Sequence, residues 1–212
     1  MSHPHFVITI GREFGSGGKA IGIMLSEKLG VNYYDQQLLK FASDKSGISE
    51  MLFGAADENV EGIKKVFFKG VYNGKTDSPD SSDYTSADNL FNMQAKTIED
   101  LYNSESCIII GRCANYILRD KHDVMRIYIH SSKEDRIART MKNYAVDAKK
   151  AEKMIDRVDK DRSAYYRYYT GHERNDACQY DMCLDTSSLG LEKCVKFILG
   201  YMDATIFANE KD

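Results

Sequence analysis

Apolar residues recur along this chain in two rhythms. Short unbroken runs, FVITI at 6–10, CIIIG at 107–111 and VMRIYIH at 124–130, are rich in β-branched residues and stop at glycine or polar positions. Such runs predict strands buried on both faces. VNYYD at 31–35 and YDMCLD at 180–185 add two more short core segments. Between them the spacing lengthens: Ile21, Leu25 and Leu29 recur on one face with Met24 beside them, and Gly30 stands where a C-terminal cap belongs. This predicts a helix directly after a glycine loop. Leu90, Met93, Thr97, Ile98 and Leu101 predict a second helix, and Leu191, Val195, Ile198, Leu199 and Met202 a last one over roughly 189–204.

Strands alternating with helices imply an α/β fold, a parallel sheet sandwiched by helices in one domain over residues 1–212. The segments QQLLKFASDKS and VEGIKKVFFKGVY read as helical, and residues 73–89, rich in Asn, Asp, Ser and Gly with Pro79, predict a mobile loop inside a small insertion. Ligands of open α/β sheets bind beyond the carboxyl ends of the strands, which points to the loops after residues 10, 35, 111, 130 and 185.

Composition narrows the function classes. With 42% apolar and 29% charged residues the chain is globular, and its net charge of −3 gives no general attraction to nucleic acid or a membrane surface. Its apolar runs are too short to span a bilayer, and its opening residues lack a basic-then-apolar secretion signal. Cys107, Cys113, Cys178, Cys183 and Cys194 form no CxxC pair, which suits reduced thiols and a cytoplasmic location. No His/Cys cluster has zinc spacing, so no structural metal is expected.

Any anion site must then come from a local motif. Residues 11–19 read GREFGSGGK between a predicted strand and a predicted helix. Backbone N–H groups in such a loop can surround a polyphosphate while the helix N-terminus adds its positive end. The candidate donor-phosphate residues are Gly15, Ser16, Gly17, Gly18, Lys19 and Ala20, with Lys19 the mobile charge on the outer phosphates. The loop departs from GxxxxGK[ST] in that Glu13 stands at a glycine position and Ala20 replaces the magnesium-binding hydroxyl. Ser16 is one substitute for that hydroxyl; magnesium held through water and the phosphates is the other.

Arginines supply the second constellation. Arg112 follows a core strand at the ligand edge, where its fork can either grip an acceptor phosphate or pair with a carboxylate to hold a loop. Residues 156–174 gather Arg157, Arg162, Arg167 and Arg174 among tyrosines. On one straight helix Arg157 and Arg162 diverge by about 140°, so their convergence requires the segment to bend as a lid. Tyr165, Tyr166, Tyr168 and Tyr169 suit core packing better than base stacking. Asp35 has two open readings: it binds the acceptor or takes its proton, or it caps the helix that begins at QQLL.

Five segments in order, ITIGREFGSGGKAIG, YYDQQLL, IIIGRCANYIL, RVDKDRSAYYRYYTG and YDMCLDTSSLG, resemble the cytidylate kinase-like family of P-loop nucleoside monophosphate kinases. The resemblance implies a three-layer P-loop kinase fold with a central five-stranded parallel sheet, an acceptor-binding insertion near 36–105 and a lid near 145–175. It implies transfer from ATP with Mg2+ to a nucleoside monophosphate, CMP or dCMP. By position it assigns Gly15 to Lys19 to ATP phosphates, Arg112 to acceptor contact, and Arg157 with Arg162 to phosphate transfer; Asp35 and Arg167 are further candidates for binding the acceptor. Where the family carries GRD, this chain has Gly111, Arg112 and Cys113. That difference and the polar insertion motivate an alternative acceptor, a metabolite bearing a hydroxyl or phosphate. Glu13 and Ala20 motivate a further alternative, a nucleotide-binding module without turnover.

Overall fold

The computed structural model describes residues 5–57 and 74–206. Five strands, β1 (Val7–Arg12), β2 (Asn32–Tyr34), β3 (Cys107–Ile110), β4 (Val124–His130) and β5 (Met182–Asp185), form one sheet in the order β2-β3-β1-β4-β5. Every neighbouring pair is parallel; Thr9, for example, lies opposite Ile109 on one side and Arg126 on the other.

The β-branched runs become strands because both of their faces are covered. Val7, Cys107 and Ile109 point into one apolar cluster and Ile8, Ile10 and Ile108 into the other, the two-residue alternation of a pleated strand. The second cluster is completed by Ile21 and Leu25 of α1 (Gly18–Leu29) and by Val195, Ile198 and Met202 of α9 (Leu191–Thr205). The first takes Phe91, Ala95 and Ile98 of α4 (Ala87–Ser104) and Tyr165, Tyr166 and Tyr169 of α7 (Ala148–Thr170). The result is a three-layer α/β architecture, with helices on both faces of the sheet. Each fully buried isoleucine, such as Ile108 or Ile109, contributes about 2 kcal/mol of stabilisation.

A smaller apolar cluster joins α2 (Gln37–Ser46), α3 (Glu50–Ala56) and α4 through Leu39, Phe53, Leu90 and Met93. The helical run predicted at VEGIKKVFFKGVY lies outside the described residues. Residues 74–86, predicted as a mobile loop, run as turns fastened to their surroundings. Tyr84 donates its hydroxyl to Ser46 O at 2.6 Å, and the buried Asn89 side chain accepts from Asp77 N–H (2.8 Å) and donates to Tyr84 O (2.7 Å). Ser86 then caps α4 by accepting from Asn89 N–H.

The short helices α5 (Ala114–Ile117) and α8 (Thr186–Leu189) follow β3 and β5 directly, and α6 (Lys133–Tyr144) follows β4. The segment with the clustered arginines and tyrosines forms one continuous helix, α7, that ends at the left-handed Gly171. Among the described residues, no helix is long and apolar enough to cross a membrane.

Candidate active site

Three strand ends bring the site together: the glycine loop after β1, Asp35 after β2 and Arg112 after β3. Gly15 and Gly17 adopt left-handed backbones at φ 78 and 92. A Cβ on Gly15 would lie 2.8 Å from Arg136 O, and one on Gly17 2.5 Å from the Leu191 side chain. Glycine is therefore required here for conformation and for space. Ile21 N–H reaches back to Gly17 O at 3.0 Å, so helix geometry leaves the preceding amides of the first turn of α1 available to an anion.

The rest of the loop is braced from behind. Ser16 Oγ donates to Glu13 O (2.9 Å), Thr186 Oγ1 donates to Ser16 O (2.8 Å), and Arg139 Nη1 donates to both Gly15 O (3.3 Å) and Ser16 O (3.1 Å). Glu13, out of place in the motif, has a structural reason. Its carboxylate accepts from Ser131 N–H (3.1 Å) and pairs with Arg136 (3.3 Å), which ties the loop to the turn after β4. Asp159 of α7 accepts from Phe14 N–H (2.9 Å), from Arg174 (3.1 Å) and from Arg136. What the cradle offers a polyphosphate is the set of amides that the first turn of α1 leaves without a helical partner. The cradle presents no accessible hydroxyl to a magnesium ion: Ala20 has none, and Ser16 is fully buried with its hydroxyl turned to Glu13 O. No cluster of three His, Cys, Asp or Glu side chains suited to a metal occurs among the described residues.

Asp35 does not cap a helix; α2 begins without a side-chain cap. Its carboxylate instead lies 3.0 Å from Lys19 Nζ, 3.0 Å from Arg112 Nη1 and 3.8 Å from Arg12 Nη2. Burial acts to raise its pKa, but Arg12 and Arg112, with Lys19, outweigh burial and hold the carboxyl below the ordinary carboxylate range. Arg112 is only 2% exposed and donates to Ile110 O (3.0 Å), Asp35 (3.0 Å) and Asp57 (2.9 Å). It sits in a backbone run of three left-handed residues, Gly111, Arg112 and Cys113, at φ 77, 54 and 57. For each non-glycine member that conformation costs about 1–2 kcal/mol.

Arg12, Arg112, Arg162 and Arg174 together line a cavity of about 20 Å³, with Asn115 and Tyr166 also in its wall, enough for about one water molecule. Arg162 reaches it from α7 with its guanidinium 5.8 Å from the Phe14 ring centre. Arg157 is mostly exposed, 3.8 Å from Asp161, and is not brought to the cavity. Arg167 pairs with Glu173 at 2.6 Å on the surface, where that partner's hydrogen bond raises its pKa. Because α7 is unbroken, helix geometry keeps Arg157 and Arg162 on different faces. Among the tyrosines packing prevails: Tyr169 stacks on Phe91 with ring centres 3.8 Å apart, and the Tyr166 hydroxyl accepts from Asn115 at 2.8 Å. The sequence reading missed Arg12, Arg136, Arg139 and Asp159. Arg12 carried a signal in standing directly at the end of β1; the others sit in helices whose charges looked like solvated faces.

Among solved structures, an uncharacterized protein from Eubacterium ventriosum is 25% identical with a TM-score of 0.69, covering 94% of this chain and 99% of that one. A shikimate kinase from Bacteroides thetaiotaomicron shares the fold at 10% identity and TM-score 0.53, covering 93% and 98%. So does a shikimate kinase from Acinetobacter baumannii, solved with shikimate, at 14% identity and TM-score 0.52, covering 99% and 97%. No curated protein matches the sequence. The sequence model of the cytidylate kinase-like family matches residues 7–188. With a glycine cradle at the head of a five-stranded parallel sheet, this chain belongs to the cytidylate kinase-like family and is a P-loop kinase.

Proposed function

We propose that the protein transfers the terminal phosphate of ATP to a nucleoside monophosphate, CMP or dCMP, with Mg2+ entering on the nucleotide. The observation that carries this reading is the cavity where Arg12, Arg112, Arg162 and Arg174 meet beside the glycine loop. Several guanidiniums around one small space suit a dianionic acceptor phosphate and serve a neutral acceptor poorly. The cytidine preference comes from the family.

In this reading the amides from Gly15 to Lys19 hold the donor phosphates and Arg112 orients the acceptor phosphate. Asp35 keeps Arg112 in position before a phosphate arrives, and Arg162 neutralises charge on the transferring group. A donor P–O bond breaks, a bond to an acceptor phosphate oxygen forms, and ADP leaves, with no covalent enzyme intermediate. The helices α2 to α4, within residues 36–105, wall the acceptor side, and α7, within 145–175, is the lid.

ADP-release assays with saturating Mg-ATP across nucleoside monophosphates test the proposal. CMP or dCMP is expected to stimulate turnover well above the others; turnover with none of them removes the assignment. Asp35 favours a second reading, a hydroxyl-bearing metabolite as acceptor. A carboxylate beside the phosphate cations can take a hydroxyl proton, a service that a phosphate acceptor does not need. Turnover with small hydroxy acids, abolished in Asp35→Asn, in the absence of any response to nucleoside monophosphates would replace the first reading with the second.

A further inference from the structure

In the motif GxxxxGK[ST] the lysine directly follows the last glycine. Two registers place that pattern on this loop. One puts the lysine at Lys19, with Glu13 and Gly18 at the glycine positions; the other puts Arg12 and Gly17 at the glycine positions and Gly18 in the lysine slot. The backbone selects the second. Gly17, left-handed at φ 92, is the residue from which α1 starts, and Gly18 is the first helical residue.

The space beside Gly18 is already taken. A Cβ there would lie 2.7 Å from Arg12 Cβ, 3.2 Å from Arg12 Cγ and 3.5 Å from Ile129 Cβ. The Arg12 side chain, leaving the end of β1, thus runs across the slot from which a motif lysine would project. It is nearly buried, its guanidinium lies 3.8 Å from Asp35, and it lines the arginine cavity. Lys19 is one residue further round α1, about 100° away. Its side chain is 58% exposed and is not among those that line the cavity.

We infer that Arg12 supplies the charge on the transferring phosphate that a motif lysine supplies in other P-loops, and that position 18 is glycine so that Arg12 can pass. The inference rests on the kinase reading. A guanidinium here stays charged at every working pH and offers paired N–H donors to two phosphate oxygens. Lys19 then screens the outer side of the loop and holds Asp35.

The test compares wild type, Arg12→Met, Arg12→Lys, Lys19→Met, Arg12→Gly and the double variant Arg12→Gly/Gly18→Lys. Three readouts are taken: equilibrium binding of β,γ-imido-ATP, ADP release with acceptor, and thermal melting. In Arg12→Met, imido-ATP binding is expected to weaken about tenfold and kcat to fall about 100- to 1,000-fold, because one aimed donor to transition-state charge is lost. In Lys19→Met each change is expected to stay within about fivefold, as suits an exposed charge. Arg12→Lys should regain part of the loss, and the double variant should recover at least about tenfold in kcat over Arg12→Gly by returning a cation to the motif slot. A merely structural Arg12 would lower the melting temperature without that recovery, which would overturn the inference. So would a larger loss in Lys19→Met than in Arg12→Met. Wild-type protein that binds no imido-ATP would instead overturn the kinase reading, and this inference with it.

Discussion

The turns after β1 and β3 stand side by side in the sheet, both depend on left-handed backbone, and they meet that demand in opposite ways. After β1 the left-handed positions are Gly15 and Gly17, and a side chain at either would run into Arg136 or Leu191. After β3 only Gly111 is glycine; Arg112 and Cys113 hold the same region of backbone space with full side chains. The first turn is emptied so that Arg136 and Leu191 can pack close against its backbone. The second accepts strain and fixes a guanidinium, with Asp35, Asp57 and Ile110 O determining its position. Left-handed backbone therefore marks both halves of the site, with the functional group in the main chain on one side and in a side chain on the other.

Removing Arg112 breaks the comparison most severely. Arg112→Ala leaves two poorly exposed carboxylates short of a partner and is expected to destabilise the fold by about 3–5 kcal/mol, read by urea unfolding. It also moves the acid limb of stability. The Asp35 carboxyl is held low in the folded state, so its contribution is complete above the unfolded pKa of about 4 and is lost as pH falls through the lower folded value. Without Arg112 the folded value moves up toward the unfolded one, so this acid-linked loss should become smaller and be complete at a higher pH. Gly15→Ala comes next: a left-handed alanine whose Cβ meets Arg136 O should cost about 2–3 kcal/mol, with nucleotide binding lost alongside. The smallest effect has the opposite sign. Ala145 is left-handed at φ 52, exposed, at the end of α6. It has no fixed guanidinium to justify the strain, and Ala145→Gly should stabilise by about 0.5–1 kcal/mol. If Ala145→Gly destabilised instead, the claim that strain at Arg112 and Cys113 serves the site would lose its control.

The strands were legible because each is an apolar run closed by glycine or polar residues, and α1 because Ile21, Leu25 and Gly30 give both its face and its end. The glycine cradle and the placing of Asp35 and Arg112 at strand ends followed from the same punctuation. What stayed hidden depends on contacts distant in sequence. Glu13 reads as a flaw in a motif until Ser131, 118 residues away, is found to donate to it. Asp159 reads as one charge among many on a helix until the Phe14 amide, 145 residues away, is found on its carboxylate. The lid arginines illustrate the reverse. Their local clustering suggested convergence, yet an unbroken helix turns Arg157 to solvent and Arg162 inward. Local periodicity reports which face is apolar; it does not report which charged residue a distant loop will choose.

Asp159 also makes α7 a lever. Its single carboxylate grips the Phe14 amide of the glycine loop, Arg136 behind that loop and Arg174 at the arginine cavity. A helix hooked in this manner cannot pivot without tugging on both the glycine loop and the arginine cavity, so these two regions are mechanically joined at one side chain.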